Sequence, residues 1–349
     1  TSLQMLIFPE LISMENQTRV TEFILLGLSS DPHRQIFLFL VFLVIYLITL
    51  VGNVVIMVLI RADFHLHTPM YFFLFHLSFV DTCYSSVTVP KMLMNFLAEH
   101  KTISVSGCIA QMFFILFTAC AEVFVLSAMA YDRYTAICDP LHYVKKMNKR
   151  ICFQLVSGAW AIGFSHALLN TVFSFNLYFC GPNQISHFSC ELPHLLKLSC
   201  AETFTNQVVL LTSIVIFGSS SFLLTLVSYI HIISTIMRIH SAEGRHKVFS
   251  TCSSHLIVVG LWIRSAEGRR KAFSTCSSHL IVVSLLYLTA FFQYTKPRSV
   301  SSVLLDEMFS VQYSILTPML NPIIYSLKNK EVKTAVRNIL GRFRFLNQC

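Results

Sequence analysis

Met129 to Tyr143 reads MAYDRYTAICDPLHY and closes a long apolar run. Asp132 and Arg133 fall where that run meets water, and Pro140 stops the helix soon after. Taken alone, the Asp132-Arg133-Tyr134 triplet describes a helix-end ion pair followed by a proline stop. At the end of a membrane helix the same pair can be held closed and then broken, exposing an arginine to a partner. Composition says which solvent the run lies in. Of 349 residues, 54% are hydrophobic and 12% charged, about half the charged share of an ordinary globular domain. A soluble fold cannot hide that much apolar surface, so lipid surrounds most of it.

Upstream, Ile36 to Ile60 is 25 residues without a charge, about 37 Å as a helix and enough for a hydrocarbon core of about 30 Å. Asn53 lies inside it beside Gly52, and a polar group at that depth is expected to face other helices. A second span, Tyr71 to about Leu97, is introduced by Pro69, whose missing N–H costs nothing at a helix start. His65 and His67 lack a third ligand and read as solvated loop. A third span runs from about Ser106 to Ile137 and a fourth, with Trp160, from Ile151 to Phe175. The fifth lies within Thr203 to Met237 and ends in Ser228 and Tyr229; the last is Met308 to Leu327. Pro322 should kink that last span, with Asn321 serving the freed carbonyl. Asp81 and Glu122 are acids at comparable depth, expensive enough to count as functional. They either share a proton or a cation, or hydrogen-bond to Asn53 and the Asn321 region.

An internal repeat interrupts the order. Ser241 to Val259 (SAEGRHKVFSTCSSHLIVV) and Ser265 to Val283 (SAEGRRKAFSTCSSHLIVV) agree at 17 of 19 positions, differing at His246/Arg270 and Val248/Ala272. Two such copies read as a tandem duplication. The second leads into Ala272 to Thr295, 24 uncharged residues or about 36 Å of helix. The first has only Leu256 to Ile263, about 12 Å, before Arg264. Spanning with it would carry Arg264, Glu267, Arg269, Arg270 and Lys271 into lipid at roughly 2.5–3.5 kcal/mol each near the centre. The second copy is therefore expected to form the sixth span, and 241–264 an insert in the preceding loop. Lys247 to Ile263 is expected to lie at the membrane surface on Leu256, Ile257, Leu261 and Trp262.

Seven spans put 19 of the 26 basic residues on the Arg133 side: Arg61, five from Arg133 to Arg150, seven from Arg238 to Lys271 and six from Lys328 to Arg344. This bias makes that side and the C-terminus cytoplasmic and the N-terminus extracellular. It also accounts for the net charge of +9 through anionic membrane lipid, without nucleic acid. Asn16-Gln17-Thr18 is a glycosylation acceptor on the outer side. The expected organisation is an outer N-terminus at 1–34 (with 1–13, before Met14, an extension), a bundle at 35–328 and a cytoplasmic tail at 329–349. HExxH, GxSxG, Walker-type, GxGxxG and CxxC patterns are absent, so enzyme chemistry has no foothold and no cofactor is expected.

The strings Gly52-Asn53, LHTPMYFFL (66–74), MAYDRYTAIC (129–138), Ser228-Tyr229, KAFSTCSSHL (271–280) and PMLNPIIY (318–325) occur in a fixed order. In that order they resemble the olfactory receptor branch of the rhodopsin-like G-protein-coupled receptors, over roughly Met14 to Gly341. The resemblance implies an all-α, seven-transmembrane bundle with Cys108–Cys190 and Cys180–Cys200 bridges stapling an outer loop. His187, Cys190 and Glu191 as a metal cluster is the alternative use of that loop. It implies an odorant site at Leu116, Ala119, Cys120, Ser213, Phe217, Tyr287, Ala290, Phe291 and Tyr294. A switch is implied at Asp132, Arg133, Tyr229, His279, Asn321, Pro322 and Tyr325. The implied output is cAMP through the stimulatory olfactory G protein, from the plasma membrane of sensory cilia. Thr135 and Leu288 depart from the family's usual Val and Gly, and Leu288 puts the ligand-side packing of the sixth helix in question. A transporter would also carry intramembrane acids, but this chain lacks the half-to-half symmetry of one. A coupling-defective receptor, impaired by the insert, is the remaining alternative.

Overall fold

The computed structural model describes residues 20–29, 31–240, 279, 281–289, 303–328, 332–335 and 337. The main helices are α1 (Pro32–Ala62), α2 (Pro69–Leu97), α3 (Val105–Cys138), α4 (Lys149–Ser174), α5 (Phe204–His240), α6 (279 and 281–289 as described) and α7. The last runs as Val303–Val311, a π-helical turn Gln312–Leu316, and Thr317–Lys328. Helices α1 to α5 are each long and apolar enough to cross a membrane. Helices α1, α3 and α4 begin where loop side chains cap them. Asp31 accepts from His33 N–H at 3.0 Å, Ser104 from Gly107 at 3.1 Å and Asn148 from Ile151 at 3.0 Å. Pro69 stands in the first turn of α2, as its chemistry requires.

The bundle is inverted relative to a soluble fold. Ile36, Phe37, Leu40, Val44, Val51 and Val58 of α1 are exposed, while Thr49 and Asn53 are buried. An outer apolar face with polar groups inside is what lipid demands. Asn53 Nδ2 donates to Thr49 O at 3.0 Å and to Pro318 O at 3.1 Å. Pro318 lies four residues before Pro322, so its carbonyl is the one the missing proline N–H leaves free. Asn53 therefore serves it, and the expectation that Asn321 would do so is corrected: Asn321 Nδ2 donates to Asp81 Oδ2 at 2.9 Å. Gly52 makes this docking possible, since a Cβ there would stand 3.1 Å from Pro322 Cγ. At Gly163 a Cβ would meet the Phe117 carbonyl at 2.7 Å, so α3 and α4 touch by backbone.

Three short strands amend the all-α expectation. Strand β1 (Glu22–Leu25) lies between β2 (Thr102–Ser104), antiparallel to it, and β3 (Gln184–Ile185), parallel to it. Alternate residues Phe23 and Leu25 point inward, packing in one cluster with Met112, Ile185 and Leu192. A second cluster at the Arg133 end joins Tyr71, Leu74, Leu77, Val125, Met129 and Tyr325, and takes in Val332 and Ala335 after α7.

Candidate ligand cavity and switch region

At the sheet end, Cys108 of α3 is bonded to Cys190 (Cα–Cα 5.4 Å) and Cys180 to Cys200 (6.0 Å). Both bridges anchor the loop that carries β3 and the short helix Leu192–Leu198. Gln111 fixes its approach, accepting from Cys190 N–H at 3.0 Å while donating to Val87 O at 3.0 Å. With its thiol in a disulfide, Cys190 is lost as a metal ligand. Among the described residues no group of three or more His, Cys, Asp or Glu is arranged to hold an ion.

Beneath this loop is a cavity of about 210 Å³. Leu116, Ala119 and Cys120 of α3, Ser213 and Phe217 of α5, and Tyr287 of α6 all line it. Ala290, Phe291 and Tyr294 lie outside the described residues, as do Asn16 and the whole 241–264 insert. Leu288 does not face the cavity: it is 56% exposed on the outer side of α6, while Leu286 and Tyr287 turn inward. The concern about ligand-side packing is thereby corrected, because consecutive helix positions are about 100° apart.

Two polar residues beside the cavity escaped the sequence reading. His166 of α4 is buried, its ring edge-on to Phe217 at 5.5 Å. Asn170, one turn on, donates to His166 O at 2.9 Å and stands 3.4 Å from both His166 Nδ1 and Ser213 Oγ. The depth argument applied to Asn53 would have singled out both. Glu191 reaches the cavity from the loop and accepts from Ser189 (3.3 Å) and Ser310 (3.2 Å), with His187 Nε2 at 3.9 Å. Burial alone would raise its carboxyl, but His187 and His194, with hydrogen bonds from Tyr313 and Ser310, hold it below the ordinary range.

Deeper in the bundle, Asp81 is fully buried and held by Asn321, leaving Asp81 Oδ1 without a hydrogen bond among the described residues. Glu122 Oε1, at the cavity floor, is likewise buried and without a partner among the described residues. At the other end Tyr229 OH and His279 Nδ1 are 2.6 Å apart with their rings stacked, joining α5 to α6. The ion pair expected between Asp132 and Arg133 is corrected. Among the described residues none joins them, and Asp132 accepts from Tyr143 OH at 2.8 Å instead. Burial, then the Asp132 charge, raises the Tyr143 hydroxyl above its usual range. Arg133 Nη2 and the hydroxyl of Tyr325 are buried and have no hydrogen bond among the described residues. Thr135 turns its hydroxyl back onto Tyr131 O (3.1 Å) and Asp132 O (2.9 Å). Beyond α3, Asp139 is held down to about 2 by hydrogen bonds from Lys146 and His142.

A cavity roofed by a doubly bridged loop, above a polar layer and an arginine-bearing helix end, defines a receptor bundle of the rhodopsin-like fold. Squid rhodopsin superposes with a TM-score of 0.70, covering 90% of this chain and 87% of that one at 17% identity. The Olfactory receptor family model matches residues 42–263 and 256–342. Olfactory receptor 5G9 of Mus musculus is 49% identical, covering 94% of this chain and 97% of the relative. Olfactory receptor 8S1 of Homo sapiens is 48% identical, over 92% and 82%. The chain belongs to the olfactory receptor family, and is thus a multi-pass membrane protein of a receptor rather than an enzyme class.

Proposed function

We propose that this chain is an odorant receptor of the plasma membrane of olfactory cilia. A small, mostly apolar ligand in the cavity biases the bundle toward a form that activates the stimulatory olfactory G protein and raises cAMP. One observation carries the reading: α6 contributes both the cavity wall and the switch. Tyr287 lines the cavity, and His279, bonded to Tyr229, lies on the same helix, about 12 Å away at eight residues of 1.5 Å rise. A ligand that presses on Tyr287 therefore shifts the population of one rigid element whose other end frees Arg133 for the G protein's terminal helix. The apolar lining, with a few polar groups among it, suits such a ligand.

In this reading the Arg133 end and the C-terminus are cytoplasmic, the β-sheet end is extracellular and Asn16 carries glycan. Asp81 and Glu122 share a proton or a sodium ion in the resting bundle, consistent with their unpartnered oxygens. A resting state equally indifferent to sodium in the wild type and in Glu122→Gln would remove the ion version. A second reading rests on the duplicated segment: inserted in the chain ahead of the sixth span, it weakens coupling. Odorant-evoked cAMP, measured beside uptake of the same odorants in transfected cells, tests receptor against transporter. The receptor reading expects cAMP without uptake; uptake without cAMP overturns it.

A further inference from the structure

The cavity's polar groups are unequal. Tyr287 OH already donates to Ser221 Oγ at 2.9 Å. Ser213 Oγ donates to Leu210 O at 2.9 Å and faces Asn170 Nδ2. Glu191 and Glu122, when ionised, only accept. His166 differs from all of these. Asn170 Nδ2 stands 3.4 Å from Nδ1, and an amide N–H donated there leaves the imidazole proton on Nε2. His166 lines the cavity, and among the described residues Nε2 has no hydrogen-bond partner. The ring's position is set by Phe217 and by Asn170, itself tied to the His166 carbonyl.

We propose that His166 is the ligand-anchoring donor of this receptor, and that its Nε2–H selects neutral odorants bearing a carbonyl or ether oxygen. Asn170 is a positioning residue: it holds the tautomer that donates. Two acids among the lining residues, with no lysine or arginine among the described residues that line the cavity, disfavour carboxylates, so the fitting class is aldehydes, ketones and esters rather than acids. This inference rests on the odorant-receptor reading and names its ligand class.

The test applies aliphatic aldehydes and methyl ketones to cells displaying the full chain, each beside the alkane of the same length and the corresponding acid. Wild type is expected to respond to the carbonyl compound at a concentration roughly tenfold below that for the alkane. His166→Phe should abolish that ratio at matched surface display while keeping the alkane response. His166→Gln, which retains an N–H donor, should restore most of it. Asn170→Ala, which keeps the ring but frees its tautomer, should shrink the same ratio and serves as the readout if His166→Phe fails to reach the surface. An unchanged carbonyl-to-alkane ratio in His166→Phe or Asn170→Ala overturns the role of His166 and leaves the odorant-receptor reading intact. Absence of a response to the carbonyl compounds in displayed wild type overturns this inference, while the odorant-receptor reading is decided by cAMP against uptake.

Discussion

Tyr229 and His279 hold α5 to α6 through one hydrogen bond in a buried setting. Tyr229→Phe leaves His279 Nδ1 without its partner, a cost of about 1–3 kcal/mol. It should lower the melting temperature of purified receptor; an unchanged value would mean that the pair does not tie the helices. Arg133→Ala is expected to abolish ligand-evoked cAMP at normal surface level, and retained signalling would remove Arg133 from the switch. At the opposite end Glu191 titrates below its ordinary value. A depressed carboxylate stabilises the fold fully above its unfolded pKa, about 4.3, and the contribution fades as pH falls through the lower folded value. Wild type should therefore outlast Glu191→Gln in thermal melts at neutral pH, with the gap closing in acid. A gap independent of pH would contradict a charge-based role for Glu191.

The docking of α1 on α7 shows what is readable at the scale of elements. Gly52-Asn53 and Pro322 stand out in the sequence, one as a buried polar group and the other as a helix interruption. Depth along a span follows from counting residues, but azimuth does not, so the sequence assigns the freed Pro318 carbonyl to Asn321 where the fold gives it to Asn53. Asn53→Leu should cost about 1–3 kcal/mol by leaving that carbonyl unsatisfied, and Gly52→Val should add a clash with Pro322. Thermal melts with the two variants unchanged would mean that α1 is not anchored there. The spans themselves are legible because a charge-free run of membrane length is rarely affordable in water. The β-sheet is not, since strands of two to four residues carry no periodicity. Nor is the π turn at Gln312–Leu316, which no local residue pattern announces. His166 is legible in principle: a histidine in mid-span with Asn170 one turn away meets the same criterion that picks out Asp81 and Glu122.

For the whole molecule, the proposal joins an odorant cavity at one end to a coupling surface at the other through α6. The duplicated 241–264 segment adjoins that coupling surface in the chain, and its deletion is expected to strengthen cAMP responses at matched surface expression. A superimposable dose–response curve would make it a neutral loop. The cavity itself is tested most directly by filling it. Ala119 lines it from α3, and Ala119→Leu adds bulk to a packed site, at a cost of about 1–3 kcal/mol for a ligand that must share the space. The measurement is the cAMP dose–response of wild type and Ala119→Leu across an odorant panel, at equal surface display. A rise in EC50 of roughly tenfold is expected for the larger odorants, with the smaller ones spared. Identical response profiles for the two receptors would contradict the placement of the odorant in this cavity.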